Sequence, residues 1–530
     1  MNWKQYKALP PKEKYNETYY IIGLDIGSET SGIAFYNLHE NAPEPIDLSG
    51  GYGKPSIPTV IQFIPETKEW VFGEYAILNQ GTDTEITLTS LIENLGRFDY
   101  ADIDNKTVSA AYILGLFIKE LLGNVRNINP RAVIVGIIAA VPDKLSPEAT
   151  DELKRAFKYA GYEKELIALV PGRECVLSHY FHNRRIMHEE KILMLDYGSR
   201  EVRGGVYTVN KIDEKNRITV VTAQSSLFDE NIGTGTLFKA VNDFFMSLYK
   251  NHSHIEAADA ATLNIEVPDT HLHEQLAAFT YQHKDILFQK NIRSKPIKLY
   301  YNFAFPPFQQ IITHADIKRL IITYIDRFAN LIVDVRRKTI GCVPISARDI
   351  DTIICTGGGF EMLWPREIIQ NIFEPSKIYF YKNAKLVAAE GAALVAATHL
   401  GVTPGHNFEI EDTHQLSGDI GIKSGDAFLP LALRSTFWWQ THQSKLVLVN
   451  SKVNGNIDIS ITERSQNGNE RILASPSLTG LPKRPKGTTR LMFGVNFISD
   501  TRMTLKVSDI GFGEMFPPSS YQQEFSVKLA

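Results

Sequence analysis

One pentapeptide pattern occurs twice in this 530-residue chain, and it constrains the fold more than any bulk property does. Leu24-Asp25-Ile26-Gly27-Ser28 returns 171 residues later as Leu195-Asp196-Tyr197-Gly198-Ser199. Each copy closes an apolar strand-like run, and a second run follows: GIAFY in the first case, GGVYTV in the second. Strand, Gly-Ser tip and returning strand make a hairpin. A glycine at the tip lets backbone amides approach a phosphate with no Cβ between them. An aspartate at the strand end can hold magnesium, usually through water. Two such hairpins facing each other would clamp the phosphates of a nucleotide from both sides. Asp25 and Asp196 are therefore candidate metal ligands, and Gly27, Ser28, Gly198 and Ser199 candidate phosphate contacts. Either copy alone is an ordinary strand and turn; the matching context of the two carries the reading. The Walker and dinucleotide glycine patterns are absent.

Two further glycine clusters fit the same ligand. Thr352–Cys355 is strand-like and runs into Thr356-Gly357-Gly358-Gly359-Phe360, with a helix start at Trp364-Pro365. Gly357, Gly358 and Gly359 let the backbone lie against a flat group such as adenine-ribose, or else make a tight turn with no ligand. Gly233-Thr234-Gly235-Thr236 precedes a helix and adds Gly233 to the candidate contacts.

From Tyr19 to about His399, strand-like runs alternate with amphipathic helical runs, which predicts α/β architecture. The Ala-rich run before His399 is expected to pack closely on a neighbour. Beyond Gly401-Val402-Thr403-Pro404-Gly405 only strands and turns are expected, with Ile457–Thr462 as one alternating strand. The division is an arm over 1–18, an α/β domain over 19–405, a linker over 406–418 and an all-β domain over 419–530. A net charge of −4 gives no basis for a nucleic-acid or membrane surface. Three cysteines fit a reducing compartment, and the polar N-terminus lacks the apolar stretch of a leader, so a cytoplasmic location is expected.

GLDIGSETSGIAFY resembles the first phosphate motif of the actin-like ATPase superfamily, MLDYGSREVRGGVY the second, and IICTGGGFEMLWP the adenosine motif. Pro58-Thr59-Val60, Phe72–Ala76, Val141-Pro142 and Gly391-Ala392-Ala393 resemble the DnaK-type heat-shock chaperones within it. So do Leu478–Gly487, Phe493–Phe497 with Met503–Ser508, and Gln523–Leu529, which resemble their β domain. The resemblance spans Tyr19 to Leu529 and implies an actin-like, ribonuclease H-like duplicated nucleotide-binding domain, then an all-β sandwich without a helical lid. It implies ATP/ADP and Mg2+ as cofactors, extended or unfolded peptide segments and co-chaperones as partners, and cytoplasmic chaperone activity. By the same resemblance Asp25, Asp196 and Glu174 would be catalytic, Lys284 an adenosine contact, and Ile422, Val447, Ile457 and Ile459 the lining of a peptide groove.

The departures bear on turnover. Ile92 stands where the family has its catalytic lysine, Glu174 is displaced from the family's glutamate, and Ser199-Arg200-Glu201 replaces a glycine-rich run. Glu29 places a carboxylate beside the phosphates. Hydrolysis depends on positioning water and neutralising phosphoryl charge, so the expectation is slow or impaired hydrolysis. The alternative is a pseudo-ATPase scaffold that binds nucleotide weakly or not at all. The acidic connector Phe408–Thr413 weighs against a docked linker, because unpaired carboxylates are costly to bury.

Overall fold

The two copies of the repeat end two equivalent strands in two sheets. The computed structural model describes residues 19–529 except 49–54, 79–85, 98, 143–144, 146, 183, 185–188, 214–217, 261–296, 302–307, 338–343, 404–406, 412–415, 417, 425–426, 435–442, 450–456, 465–469, 486 and 500–501. The first half runs β1 (Tyr19–Ile26), β2 (Thr30–Asn37), β3 (Ala42–Pro45), α1 (Ala110–Ile128), β4 (Val133–Val141), α2 (Pro147–Ala160), β5 (Leu166–Pro171) and α3 (Gly172–His182), with short strands inserted. Among the described residues the second half repeats this order, with a helix and a two-stranded hairpin (Ile297–Tyr301 and Phe308–Ile312) added. It runs β6 (Glu190–Tyr197), β7 (Val202–Asp213), β8 (Ile218–Asp229), the added α4 (Thr234–Ala260), α5 (His314–Arg337), β9 (Thr352–Thr356), α6 (Leu363–Ile372), β10 (Ile378–Phe380) and α7 (Val387–His399).

Strand order is β5-β4-β1-β2-β3 in one sheet and β10-β9-β6-β7-β8 in the other. In each, the first three strands are parallel and the last two add by antiparallel pairing. The parallel strands read as near-continuous apolar runs because helices cover them; all five residues of β9 are buried. The start of α1 is set by Ser109, whose hydroxyl accepts from the Tyr112 amide at 3.2 Å.

Helix α7 joins the halves. Its small residues let it lie directly on β1 and α3. A Cβ on Gly23 would sit 2.0 Å from the Ala389 carbonyl oxygen, and one on Gly391 would sit 1.8 Å from that of Cys175. Both obstacles are backbone, so neither can swing aside. Gly391→Ala should therefore destabilise the protein by at least the roughly 1–3 kcal/mol of ordinary overpacking. A urea midpoint unchanged from wild type would show that α3 and α7 do not approach this closely.

The connector does not behave as its acidity suggested. A strand β11 (Asn407–Glu411) pairs in parallel with β8 and extends the second sheet by one strand. Strand addition is made by backbone hydrogen bonds, so carboxylates along the strand need not be buried to allow it.

The rest of the chain comprises β12 (Asp419–Ser424), β13 (Ala427–Ala432), β14 (Gln443–Val449), β15 (Ser460–Arg464), β16 (Glu470–Ala474), β17 (Thr489–Ser499), β18 (Arg502–Asp509) and β19 (Gln522–Lys528). They form two four-stranded antiparallel sheets, β13-β12-β15-β16 and β14-β17-β18-β19. Ile420, Ile422 and Ile461 of the first share one core with Leu491, Phe493, Leu505 and Val507 of the second. The alternating run expected as one strand is divided at Ile459. Ile457-Asp458 pairs with Ser477-Leu478, whereas β15 pairs with β12 and β16. At the division the Ile459 amide bonds the Pro476 carbonyl at 3.0 Å.

Candidate functional site

The two hairpins have the same construction. The Gly27 amide bonds the Thr30 carbonyl at 3.2 Å, and the Gly198 amide bonds the Glu201 carbonyl at 3.0 Å. Asp25 pairs in register with Ala140 on the parallel neighbour of β1, and Asp196 pairs with Thr356 on that of β6. Both tips, both aspartates and Gly357-Gly358 line one cleft of about 820 Å3. That volume is in the range of a small-molecule or cofactor pocket.

Burial, and then the charge of Asp196, push the Asp25 carboxyl up to about 7. A carboxylate raised by its neighbour's charge is one that a cation between them would relieve. Among the described residues no group of three or more His, Cys, Asp and Glu side chains is arranged to hold a metal. A protein-only cage is therefore not built here. Two carboxylates fit magnesium, which keeps several waters and takes its other ligands from phosphate oxygens. Asp25 and Asp196 are the residues that would hold it.

Among the described residues the lining carries eight carboxylates, counting Asp25, Glu29, Glu93, Asp196, Glu201, Glu230, Glu361 and Glu463. Five cations face them: Arg173, Arg200, Arg203, Lys385 and Arg471. Acids lie beside them. Arg200 is 3.9 Å from Glu230 and Lys385 is 3.4 Å from Glu361. Arg471 is 2.7 Å from Glu463, and Arg203 bonds Glu201. A polyphosphate entering this acidic cleft needs its own cation.

Gly357 has φ +87°, a left-handed conformation that disfavours any side chain. Its amide bonds the Ala384 carbonyl at 3.0 Å, which ties the glycine loop to the segment leading into α7. A Cβ there would also strike Asp196 Oδ1 at 2.5 Å. Gly358 faces the cleft with Lys385 alongside, whereas Gly359 packs on the Tyr197 ring and does not line it.

The remaining candidates are placed unevenly. Gly27, Ser28, Gly198 and Ser199 line the cleft. Gly233 packs against the Ser199 carbonyl, and its neighbour Thr234 does the lining. Ile92 lines the wall at the position that the resemblance gives to a lysine. At the start of α3, Arg173 rather than Glu174 reaches the cleft. Ile422 and Ile459 are each only 7% exposed within the core between the β sheets, and Ile457 packs against that core. Strand β14 contains Val447, whose side chain lies outside the described residues, as do Lys284 and Trp438-Trp439.

Sequence reasoning missed Arg173, Lys385 and Glu93. Each sits in an unremarkable run and reaches the cleft only because distant elements converge. It also missed that the second unit completes the cleft, through Leu416, Ile420, Glu463, Arg471 and Leu529. Burial raises the Glu230 carboxyl; Arg200 opposes this, and Glu201, Asp229 and Glu463 add to it.

Residues 42–263 match a family of unknown function (DUF5716), C-terminal part. Residues 414–529 match a domain of unknown function (DUF8552). The second match begins just before β12 and ends with the last described residue, so it coincides with the unit built from the two antiparallel sheets. Among the described residues no helix is long and apolar enough to cross a membrane.

Proposed function

We propose that this chain is a magnesium-nucleotide-binding protein of the actin-like ATPase type, arranged as in DnaK-type chaperones. Its first domain takes ATP or ADP between the two hairpins. Its β unit, read as a sandwich, engages extended peptide or another protein segment in the cytoplasm. One observation carries this reading. Two hairpins of identical construction, each with an aspartate at its base, face one cleft that also holds a glycine loop suited to adenosine. The repeated strand order of the two halves supports it, and the buried thiols of Cys175 and Cys355, neither in a disulfide, suit a reducing compartment. Bound magnesium would neutralise phosphoryl charge. Asp25 and Asp196 would orient it, and the glycine loop would seat the base.

Calorimetric titration with ADP and magnesium tests the proposal. Wild type should bind only with the metal present. Asp196→Ala should weaken binding by about tenfold or more, the effect of losing roughly 1.4 kcal/mol or more of interaction. Equal affinity in chelator, or in the variant, would remove the site assignment.

A second reading is favoured by the core positions of Ile422 and Ile459. With those side chains committed to the core, the β unit resembles an interaction scaffold more than an open groove. In that case the first domain binds nucleotide without turnover. The apolar Ile92 on the cleft wall agrees, since a phosphoryl group there gains no charge stabilisation. Single-turnover hydrolysis separates the readings: phosphate release clearly above buffer rules the scaffold reading out.

A further inference from the structure

We propose that Glu29 is a specificity-determining residue that makes this cleft prefer a nucleoside diphosphate to a triphosphate. The inference rests on the magnesium-nucleotide reading above and adds the phosphate length that the site accepts.

Glu29 is the second residue past Gly27 in the first hairpin, and its backbone is anchored. Its carbonyl accepts from the Thr59 amide at 2.8 Å, and the Ser31 and Thr59 hydroxyls pair at 2.8 Å just behind it. The side chain crosses the cleft. Oε2 accepts from the Thr234 hydroxyl at 3.0 Å, a bond spanning 205 residues. Thr234 opens α4 and is 7% exposed. The start of α4 is itself fastened to the second hairpin. The Thr234 amide bonds the Gly198 carbonyl at 3.0 Å, and the Gly235 amide bonds the Ser199 carbonyl at 2.9 Å. Glu29 thus ties the first hairpin to the second, and this bridge is part of the cleft wall.

That wall has the chemistry a terminal phosphate would otherwise use: a hydroxyl donor at the positive end of a helix. A carboxylate already occupies it. A third phosphate reaching this bridge would meet Glu29 and would have to displace it from Thr234. Around it, the Ser28 hydroxyl is taken by Glu93, Arg203 bonds Glu201, and Arg200 lies by Glu230. The cations of the second hairpin therefore do little to offset a further negative group. A diphosphate that ends short of this bridge avoids the conflict.

The test is calorimetric titration of the full chain with ADP, ATP and the slowly hydrolysed β,γ-imido analogue of ATP, each with magnesium. Wild type should bind ADP at least tenfold more tightly than either triphosphate. Glu29→Gln keeps an oxygen that can accept from Thr234 but removes the charge, and should bring the ratio toward one by strengthening triphosphate binding. Should Glu29→Gln fold poorly, as judged by its melting curve, Glu29→Ser supplies the same comparison. Equal or tighter triphosphate binding by wild type overturns the proposal, as does a ratio unmoved by Glu29→Gln. If wild type binds no nucleotide at all, the nucleotide reading itself fails and this inference fails with it. Equal binding of both nucleotides removes this inference alone.

Discussion

Asp25→Asn should make the metal-free protein more stable at pH 8 while nearly abolishing magnesium-dependent nucleotide binding. Burial and the Asp196 charge raise the Asp25 carboxyl from its ordinary 3.8 to about 7. Because the folded-state pKa is raised, the folded protein binds the Asp25 proton more tightly than the unfolded chain does. The resulting penalty is absent below pH 3.8, grows as pH rises toward about 7, and is constant above it. At about 1.36 kcal/mol per unit, removing the ionisable group returns on the order of 4 kcal/mol at pH 8 and far less at pH 4. Asparagine has nearly the same shape, so the gain is not offset by a cavity. The loss comes from the same group. Metal binding needs the carboxylate, so wild-type affinity for magnesium nucleotide should fall about tenfold per pH unit below roughly pH 7. Thermal melts with and without magnesium at pH 4.5 and pH 8, with nucleotide titrations, check both halves. A variant that melts lower than wild type at pH 8 without metal, or binds nucleotide normally, would contradict this account. Under the proposed function, a group that destabilises the empty fold and would be relieved by a bound cation follows the general conflict between stability and function.

The second large effect lies in the β unit. Arg484→Met should cost about 3–5 kcal/mol, the usual consequence of breaking a buried ion pair by removing one partner. Arg484 Nη1 and Nη2 each donate to an Asp509 oxygen at 2.8 Å, and both side chains are buried, at 7% and 0% exposure. The Gly511 amide at 3.0 Å and the Ser519 amide at 2.8 Å complete the shell around Asp509. Burial alone would raise the Asp509 carboxyl. Arg484, the two amides and the Ser519 side chain together outweigh it and hold the group below its usual range. A lowered folded-state pKa means that this stabilisation is present above the ordinary 3.8 and is lost as pH falls through the lower folded value. Methionine keeps much of the volume but leaves the buried carboxylate without its guanidinium partner. Adding Asp509→Leu should recover only part of the loss, because the Gly511 and Ser519 amides would then lack an acceptor. Urea unfolding followed by the β unit's own fluorescence or proteolysis measures the effect. A change under 1 kcal/mol would mean that the pair is solvated.

Much of the first domain was legible because its signals are local and repeated. The duplicated hairpin, the helix start near Trp364-Pro365 and the close packing of the Ala-rich run each depend on a few adjacent residues. The same holds for the change to strands after Gly401. The structure places all four where the pattern put them. The break at Ile459 was not legible, since alternation fixes which face a residue takes but not which strand it pairs with.

The chain's own order thus determined that two equivalent hairpins exist, each with an aspartate at its base and a glycine at its tip. Tertiary structure decided that they face one cleft and that Asp196 lies near enough to raise Asp25. It decided that Arg173 and Lys385 reach the lining, and that Glu29 turns from its own hairpin to Thr234. The physical reason is the range of the interactions. Turn geometry is set within a few residues, whereas charge and hydrogen bonding act through space, as between Glu29 and Thr234, which lie 205 residues apart in the chain.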